Sequence, residues 1–80
     1  MHELGLTRNL VAIVSEHAAG RRVRRVWLEI GTRSAILPDA VRFCFDVCSK
    51  GTPLEGAQLD ILEHEGDRLN IKAMEVEPCA

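Results

Sequence analysis

The period at which apolar residues recur changes along this chain, and that change limits the folds open to it. Near the start the spacing is helical, and Gly20 stands where a helix C-terminal cap is expected. The segment 22–31 alternates instead, which predicts a strand whose two faces differ. Val23 is out of phase, so we expect the strand to begin with a bulge or to begin later. The helical stripe consists of Leu6, Leu10, Ile13, Val14 and His17, and the strand's two faces carry Val26, Leu28 and Ile30 on one side and Arg25, Trp27 and Glu29 on the other.

A second helix is predicted to begin at Pro38, because proline lacks only an N–H that the first turn leaves unused. Asp39 would then meet the positive end of the helix dipole. Gly51 is placed to end this helix. The predicted buried stripe consists of Val41, Cys44, Phe45 and Cys48.

Two further strands are predicted at 58–64 and 69–76, where apolar residues again alternate with polar ones. The link between them is short and contains Gly66, which predicts a β-hairpin. The order is helix, strand, helix, strand, strand. It predicts one α+β domain over 1–80, with two helices packed on one face of a three-stranded mixed sheet. The alternating residues are Leu59 and Ile61 in the first strand and Leu69, Ile71 and Ala73 in the second.

Length, charge and cysteine usage restrict the partners and the compartment. A chain of 80 residues buries only about 60% of its unfolded surface, so the core is thin. The net charge of −2 gives no overall attraction to nucleic acid or to an anionic membrane. The apolar runs fall short of the ~20 residues of a membrane span, and we expect no signal peptide. The chain has an odd number of cysteines, Cys44, Cys48 and Cys79, so they cannot all pair in disulfides within the chain. This favours free thiols in a reducing cytoplasm.

The first three residues, Met1, His2 and Glu3, carry donor groups for a metal ion. A free amine, a backbone amide and the imidazole of residue two can chelate one ion through fused rings, and Glu3 adds a carboxylate. A square-planar set of nitrogen donors suits Ni(II) or Cu(II). We expect Met1 to be retained, because the bulk of His2 opposes its removal. The alternative is an exposed histidine with no ligand role, which is the commoner case.

Other candidate residues have simpler explanations. Cys44 and Cys48 share the apolar face of a helix, which favours packing, and without CxxC pairs no zinc site is expected. His17 is expected to be partly buried and His64 exposed. No nucleophile, phosphate loop or acid–base pair is visible, so we expect no enzyme activity. The basic run Arg21, Arg22, Arg24 and Arg25 is expected to be a solvated strand entrance or a rim that contacts an acidic partner.

Five segments, in order over nearly the whole chain, resemble the HypA (HybF) family of nickel metallochaperones. The segments are MHEL at 1–4, VWLEIG at 26–31, PDAVRFCFD at 38–46, GTPLEGA at 51–57 and IKAMEV at 71–76. The resemblance implies a nickel site at Met1, His2 and Glu3. It also implies delivery of Ni(II) for [NiFe] hydrogenase maturation, with a HypB-type GTPase and the hydrogenase large-subunit precursor as partners.

The chain departs from the family pattern at two places. The family inserts a zinc domain with two CxxC pairs between the last two strands, whereas here 62–66 runs directly into 67–71. The insert expected near 64–68 is therefore absent, and zinc is not expected. The family often carries a carboxylate just before the second helix, where this chain has Leu37, and Asp39 is not assigned as a ligand.

Two functions remain after this comparison. The first is a cytoplasmic nickel carrier, a monomer or weak homodimer, that binds neither nucleic acid nor membrane. The alternative is a metal-independent docking module for a maturation GTPase, which would use the first helix and the basic strand entrance. Exposed strand edges would favour pairing between chains.

Overall fold

Five elements form in the predicted order in the computed structural model, which describes residues 2–78 and, for His2, the backbone alone. The elements are α1 (His2–Ala18), β1 (Val23–Gly31), α2 (Pro38–Cys48), β2 (Gln58–His64) and β3 (Leu69–Val76). The three strands make one mixed sheet in the order β2-β1-β3. β1 is parallel to β2 and antiparallel to β3. The α+β fold predicted from the sequence is confirmed.

The core lies between the helices and one face of the sheet. The three β1 residues predicted to share a face, Val26, Leu28 and Ile30, are each at most 2% exposed. They pack with two residues of each helix: Leu10 and Val14 of α1, and Val41 and Phe45 of α2. Because β1 has a strand on each side and helices over one face, it is the centre of the fold.

The predicted hairpin between β2 and β3 is wrong, because these strands do not pair with each other. Each pairs with β1, on opposite sides. β2 runs parallel to β1, so both strands end at the same end of the sheet. The link 65–68 then crosses over the end of β1, and β3 begins on the other side of β1. Gly31 donates its N–H to the carbonyl of Arg68 at 2.8 Å, and Arg33 donates to Gly66 at 2.8 Å. A short link that contains glycine indicates that the chain reverses its direction. It does not indicate which strand the next one will pair with.

The buried stripe of α1 is rotated from the predicted one. Leu10 and Val14 are buried as expected, whereas Ile13 is 46% exposed and His17 is also exposed. The buried face continues instead through Thr7, Val11 and Ala18. The rotation follows from packing, because α1 contacts α2 far more than it contacts β3. Neither helix of the described chain is long and apolar enough to cross a membrane.

Local signals in the middle of the chain are confirmed. Pro38 occupies the first turn of α2, and Gly51 follows that helix with a φ of +76°. Val41 and Phe45 are buried, while Cys44 and Cys48 are half-buried free thiols. Of the two alternatives left open at Val23, the structure shows the first: β1 begins at Val23, and its register with β3 shifts between residues 23 and 25.

A second register shift changes the face assignment in β3. It lies opposite Trp27 and Leu28 of β1, so Lys72 and Ala73 are both exposed. Met74 therefore packs against the core, where the alternation had placed Ala73. The prediction for Ala73 is wrong because strict alternation cannot anticipate an extra residue in one strand.

Neither of the two helices in the described part of the chain covers the second face of the sheet. Trp27 lies here with the Arg25 guanidinium 4.9 Å from its ring centroid. Arg25 Nε also donates to Asp60 Oδ2 at 3.1 Å, which links β1 to β2. The pKa of the Asp60 carboxyl is lowered from its usual 3.8, chiefly by the hydrogen bond from Arg25.

Gly31→Ala is expected to destabilise the fold, because a Cβ there would lie 2.4 Å from the Gly66 carbonyl oxygen. Backbone cannot give way as a side chain can, so we expect a loss of about 1–3 kcal/mol of unfolding free energy, the range for overpacking. Urea denaturation measures it. Gly5→Ala is the matched control, since no atom outside its own stretch of helix lies within 4 Å of its added Cβ, and alanine favours a helix. If the two variants were equally stable, the link 65–68 could not pass as close to Gly31 as the structure shows.

Asp60→Asn is expected to lower the stability at neutral pH and to lose that effect in acid. The folded pKa of Asp60 is depressed. Its contribution is therefore fully present above 3.8, the usual value, and is lost as pH falls through the folded pKa. Urea denaturation of both proteins at several pH values measures the difference. A difference that stays constant down the acid range would show that the charge of Asp60 is irrelevant.

Candidate metal-binding site

The candidate site lies at the beginning of α1. This helix starts at His2, so the amide of residue two is in its first turn. The first four N–H groups of a helix have no acceptor within the helix. The amide that a chelate would use is therefore free of the helix ladder. Met1 and the side chain of His2 lie outside the described part of the chain.

Glu3 connects the start of α1 to the segment before α2. The residue is only 8% exposed, and its Oε2 accepts a hydrogen bond from the backbone N–H of Leu37 at 3.2 Å. Its carbonyl accepts a hydrogen bond from the hydroxyl of the buried Thr7, one helical turn later. The carboxylate is thus held at a fixed position beside the first turn. Glu3 was predicted from the sequence as a candidate ligand, but no sequence pattern indicated its hydrogen bond to the backbone of Leu37.

The electrostatics of this turn favour an ionised carboxylate. The pKa of Glu3 is lowered to about 2, mostly by hydrogen bonding to the amino terminus and then by the backbone amides of Glu3 and Leu37. Partial burial opposes this shift. A carboxylate also complements the positive end of the α1 dipole. Glu3 therefore carries a full negative charge throughout the neutral range.

Leu37 takes part in the site through its backbone. Its side chain is 63% exposed and supplies no donor, and it makes no side-chain cap for α2. Leu4, on the first turn of α1, is 43% exposed. The apolar side chains of Leu4 and Leu37 are therefore accessible on the two segments that Glu3 joins. Asp39 is exposed in the first turn of α2.

The other histidines and the cysteines do not add a metal site to the described chain. His17 is exposed rather than partly buried, with Nδ1 3.0 Å from the Ile13 carbonyl. His64 is half-buried rather than exposed, because its ring lies against Gly66 at the crossing. Among the side chains of residues 3–78, no three from His, Cys, Asp or Glu come together to hold a metal ion.

The four arginines of the basic run differ in their contacts. Arg22 donates to the carbonyl of Glu55 at 2.7 Å, and Arg25 is paired with Asp60 on the second face of the sheet, which no helix among the described residues covers. Arg21 and Arg24 are exposed. Two of the four guanidinium groups thus make contacts within the fold, and whether the run is a solvated strand entrance or a rim for an acidic partner stays a prediction.

Comparison with proteins of known sequence identifies the relatives of this chain. The HypA model, described as "Hydrogenase/urease nickel incorporation, metallochaperone, hypA", matches residues 1–76. A hydrogenase maturation factor HypA of Trichormus variabilis is 68% identical over 66 residues, which is 82% of this chain and 58% of that protein. A HypA of Geobacter sp. (strain M21) is 52% identical over 61 residues, 76% of this chain and 56% of that protein. The chain thus spans a little over half the length of these relatives.

Solved structures share the fold. A solution structure of a HypA protein superposes with a TM-score of 0.81 at 19% identity, covering 96% of this chain and 97% of that one. The nickel metallochaperone HypA from Helicobacter pylori gives 0.70 at 21% identity, covering 89% of this chain and 70% of that one. At these identities the likeness establishes the fold alone. The family follows from the sequence matches: this chain belongs to the HypA family of hydrogenase and urease nickel-incorporation metallochaperones.

Proposed function

We propose that this chain carries Ni(II) at its amino terminus and delivers it for [NiFe] hydrogenase maturation. The observation that carries the proposal is that α1 begins at residue two, where the backbone amide has no helical acceptor. Membership of the HypA family supports the choice of nickel. The proposed ligands are the amine of Met1, the amide and imidazole of His2, and a carboxylate contribution from Glu3.

The donor set suits a carrier on chemical grounds. Amine, amide and imidazole nitrogens form fused chelate rings, and such a nitrogen set is characteristic of square-planar Ni(II). A cation at a helix N-terminus meets the positive end of the dipole, which weakens its binding. The deprotonated amide and the ionised Glu3 offset this effect. The balance favours an ion that is held at the surface and can be released.

Glu3 is proposed to have two roles. Its bond to the Leu37 N–H fixes the first turn of α1 against the segment before α2. Its negative charge lies one residue from His2 and offsets the charge of the bound ion. The same residue would therefore both order the site and lower the energy of the nickel complex.

Delivery requires partners that can approach this end of the molecule. We propose that the metal passes to a hydrogenase large-subunit precursor, together with a HypB-type GTPase. The exposed Leu4 and Leu37 give these partners apolar contact surface near the metal. The free thiols of Cys44 and Cys48 support a reducing cytoplasm as the compartment. The proposed role is transfer of an ion, not catalysis.

The domain organisation is also part of the proposal. Residues 1–80 form a single nickel-binding domain, in which the link 65–68 stands where the family's zinc domain would be inserted. The crossing of this link over Gly31 closes the sheet with no further residues. Zinc is therefore not proposed as a cofactor of this chain.

His2→Ala is expected to abolish tight nickel binding. Calorimetry on protein with its native first residue should give one equivalent of Ni(II). Loss of the imidazole removes a nitrogen from the chelate, so affinity should fall on the order of 100-fold or more, equivalent to about 3 kcal/mol. Acetylation of the Met1 amine should weaken binding similarly, because the amine becomes an amide.

His17→Ala is the matched control, because His17 also lies in α1 and its own side chain is exposed. It should bind nickel like the unaltered protein. If neither the unaltered protein nor His2→Ala binds, or if both bind alike, the N-terminal site is wrong. The metal-independent docking module would then become the preferred function.

Glu3→Gln is expected to weaken nickel binding without unfolding the protein. The glutamine carbonyl oxygen can still accept the Leu37 N–H, so the geometry of the turn is kept while its charge is lost. We expect a loss of about tenfold in affinity, or about 1.4 kcal/mol. Titration together with circular dichroism separates the two effects. Unchanged nickel affinity in the folded variant would remove Glu3 from the site.

A further inference from the structure

We propose that Ser34 is a positioning residue for the nickel site, although it is not one of the proposed ligands. Its hydroxyl holds the backbone of the segment 31–37, so that the N–H of Leu37 is aligned with the carboxylate of Glu3. This inference deepens the proposed nickel carriage and rests on it. The observation that carries it is a hydrogen-bonded turn at Ser34, which leads directly to Leu37.

The hydroxyl of Ser34 connects the residues before and after it. Its Oγ donates to the carbonyl of Gly31 at 2.7 Å and accepts the backbone N–H of Ile36 at 3.2 Å. The N–H of Ser34 donates to the same Gly31 carbonyl at 3.1 Å. Serine hydroxyls stabilise turns by such local bonds to the backbone. The N–H of Ile36 belongs to the peptide that joins residues 35 and 36, so the hydroxyl fixes the orientation of that peptide.

Ala35 has a conformation that needs support from its surroundings. Its φ is +62°, in the left-handed region that favours glycine. A residue with a Cβ adopts this region at an energetic cost, and it stays there only when neighbouring contacts hold it. The hydroxyl of Ser34 supplies such contacts, because it bonds to Gly31 on one side of Ala35 and to Ile36 on the other. Without the hydroxyl, the backbone at Ala35 should relax and displace the residues that follow.

The beginning of the segment is anchored where the link crosses over the end of β1. Thr32 donates its N–H to the carbonyl of His64 at 2.9 Å. Arg33 donates its N–H to the carbonyl of Gly66 at 2.8 Å. The backbone is therefore held immediately before Ser34. A relaxation of the turn should thus move the residues after Ser34 more than those before it.

The end of the segment connects this turn to Glu3. The side chain of Ile36 is half-buried against the core. Leu37 then uses both of its backbone groups: its N–H donates to Glu3 Oε2 at 3.2 Å, and its carbonyl accepts the N–H of Val41 at 3.1 Å. The direction of the Leu37 N–H follows from the orientation of the preceding peptide, which Ser34 fixes. Ser34 therefore acts on the proposed site through Leu37 and Glu3.

The same arrangement recurs after α2, in the segment that leads to β2. Thr52 Oγ1 donates to the carbonyl of Ser49 at 2.7 Å and accepts the N–H of Leu54 at 3.1 Å. This turn leads to the buried side chain of Leu54 and not to Glu3. Ser34 and Thr52 are both half-buried. The chain thus contains a matched turn for comparison, and it shows that threonine can take the place of serine in this arrangement.

Ser34→Ala is expected to lower the nickel affinity about fivefold, which corresponds to about 1 kcal/mol, the net contribution of one hydrogen bond. In the metal-free protein it should also speed hydrogen exchange at the Leu37 amide. Calorimetry measures the affinity, and nuclear magnetic resonance measures the exchange. Thr52→Ala is the matched control, because it removes the same two kinds of bond, and it should change neither quantity. Ser34→Thr should restore both, because the hydroxyl is kept.

A double variant tests whether Ser34 acts through Glu3. In Glu3→Gln the charge that Ser34 positions is absent, so adding Ser34→Ala should lower the nickel affinity by less than about twofold further. Losses that add fully would overturn the proposal, because Ser34 would then act on another part of the site. Unchanged exchange at the Leu37 amide in Ser34→Ala would also overturn it, as would an equal loss of nickel affinity in Thr52→Ala.

The two measurements separate a failure of this inference from a failure of the proposed function. If the unaltered protein binds nickel and Ser34→Ala binds it equally well, only the role of Ser34 is wrong. If the unaltered protein binds no nickel, the carrier function is wrong, and the role of Ser34 at the nickel site falls with it. The exchange at Leu37, measured without metal, then still shows whether the hydroxyl holds the turn.

Discussion

The close approach of two backbones at Gly31 and Gly66 determines how this small sheet is closed. β1 needs a strand on each side, yet β2 and β3 are consecutive in sequence and their link must cross the end of β1. A side chain at Gly31 would occupy the space of the Gly66 carbonyl. Hydrogen bonds from the end of β1 and the residues after it to the link hold the crossing. The apolar face of β1 is then bordered on both sides and covered by the helices.

The beginning of α1 is ordered by a contact of a different kind. Glu3 accepts a hydrogen bond from the Leu37 amide, so the first turn of one helix is tied to the residue that precedes the other. The unused amides of the turn and an ionised carboxylate then lie together. A chelating terminus on this turn would be partly preorganised, since its neighbouring charge is already fixed. The carboxylate of Glu3 thus belongs both to the fold and to the candidate site. Burying a charged group is costly, and the hydrogen bonds to Glu3 offset that cost.

Two predictions from sequence failed for related reasons. Ile13 and His17 were placed on the buried stripe of α1, and Ala73 on the core side of β3. Helical spacing limits which residues share a face, but the rotation of α1 depends on its contact with α2. Alternation likewise fails where β3 gains an extra residue against β1. That extra residue leaves Lys72 and Ala73 exposed side by side, and it moves Met74 to the core side of β3.

The sequence by itself determined the number, type and order of the elements, the start of α2 at Pro38 and the candidate donors Met1, His2 and Glu3. These follow from local properties: residue periodicity, proline and glycine geometry, and the chemistry of adjacent groups. Only the tertiary structure decided that β1 separates β2 from β3, and that Glu3 contacts Leu37. Strand partners and contacts between residues 34 positions apart depend on how the whole chain packs, and no local pattern encodes that packing.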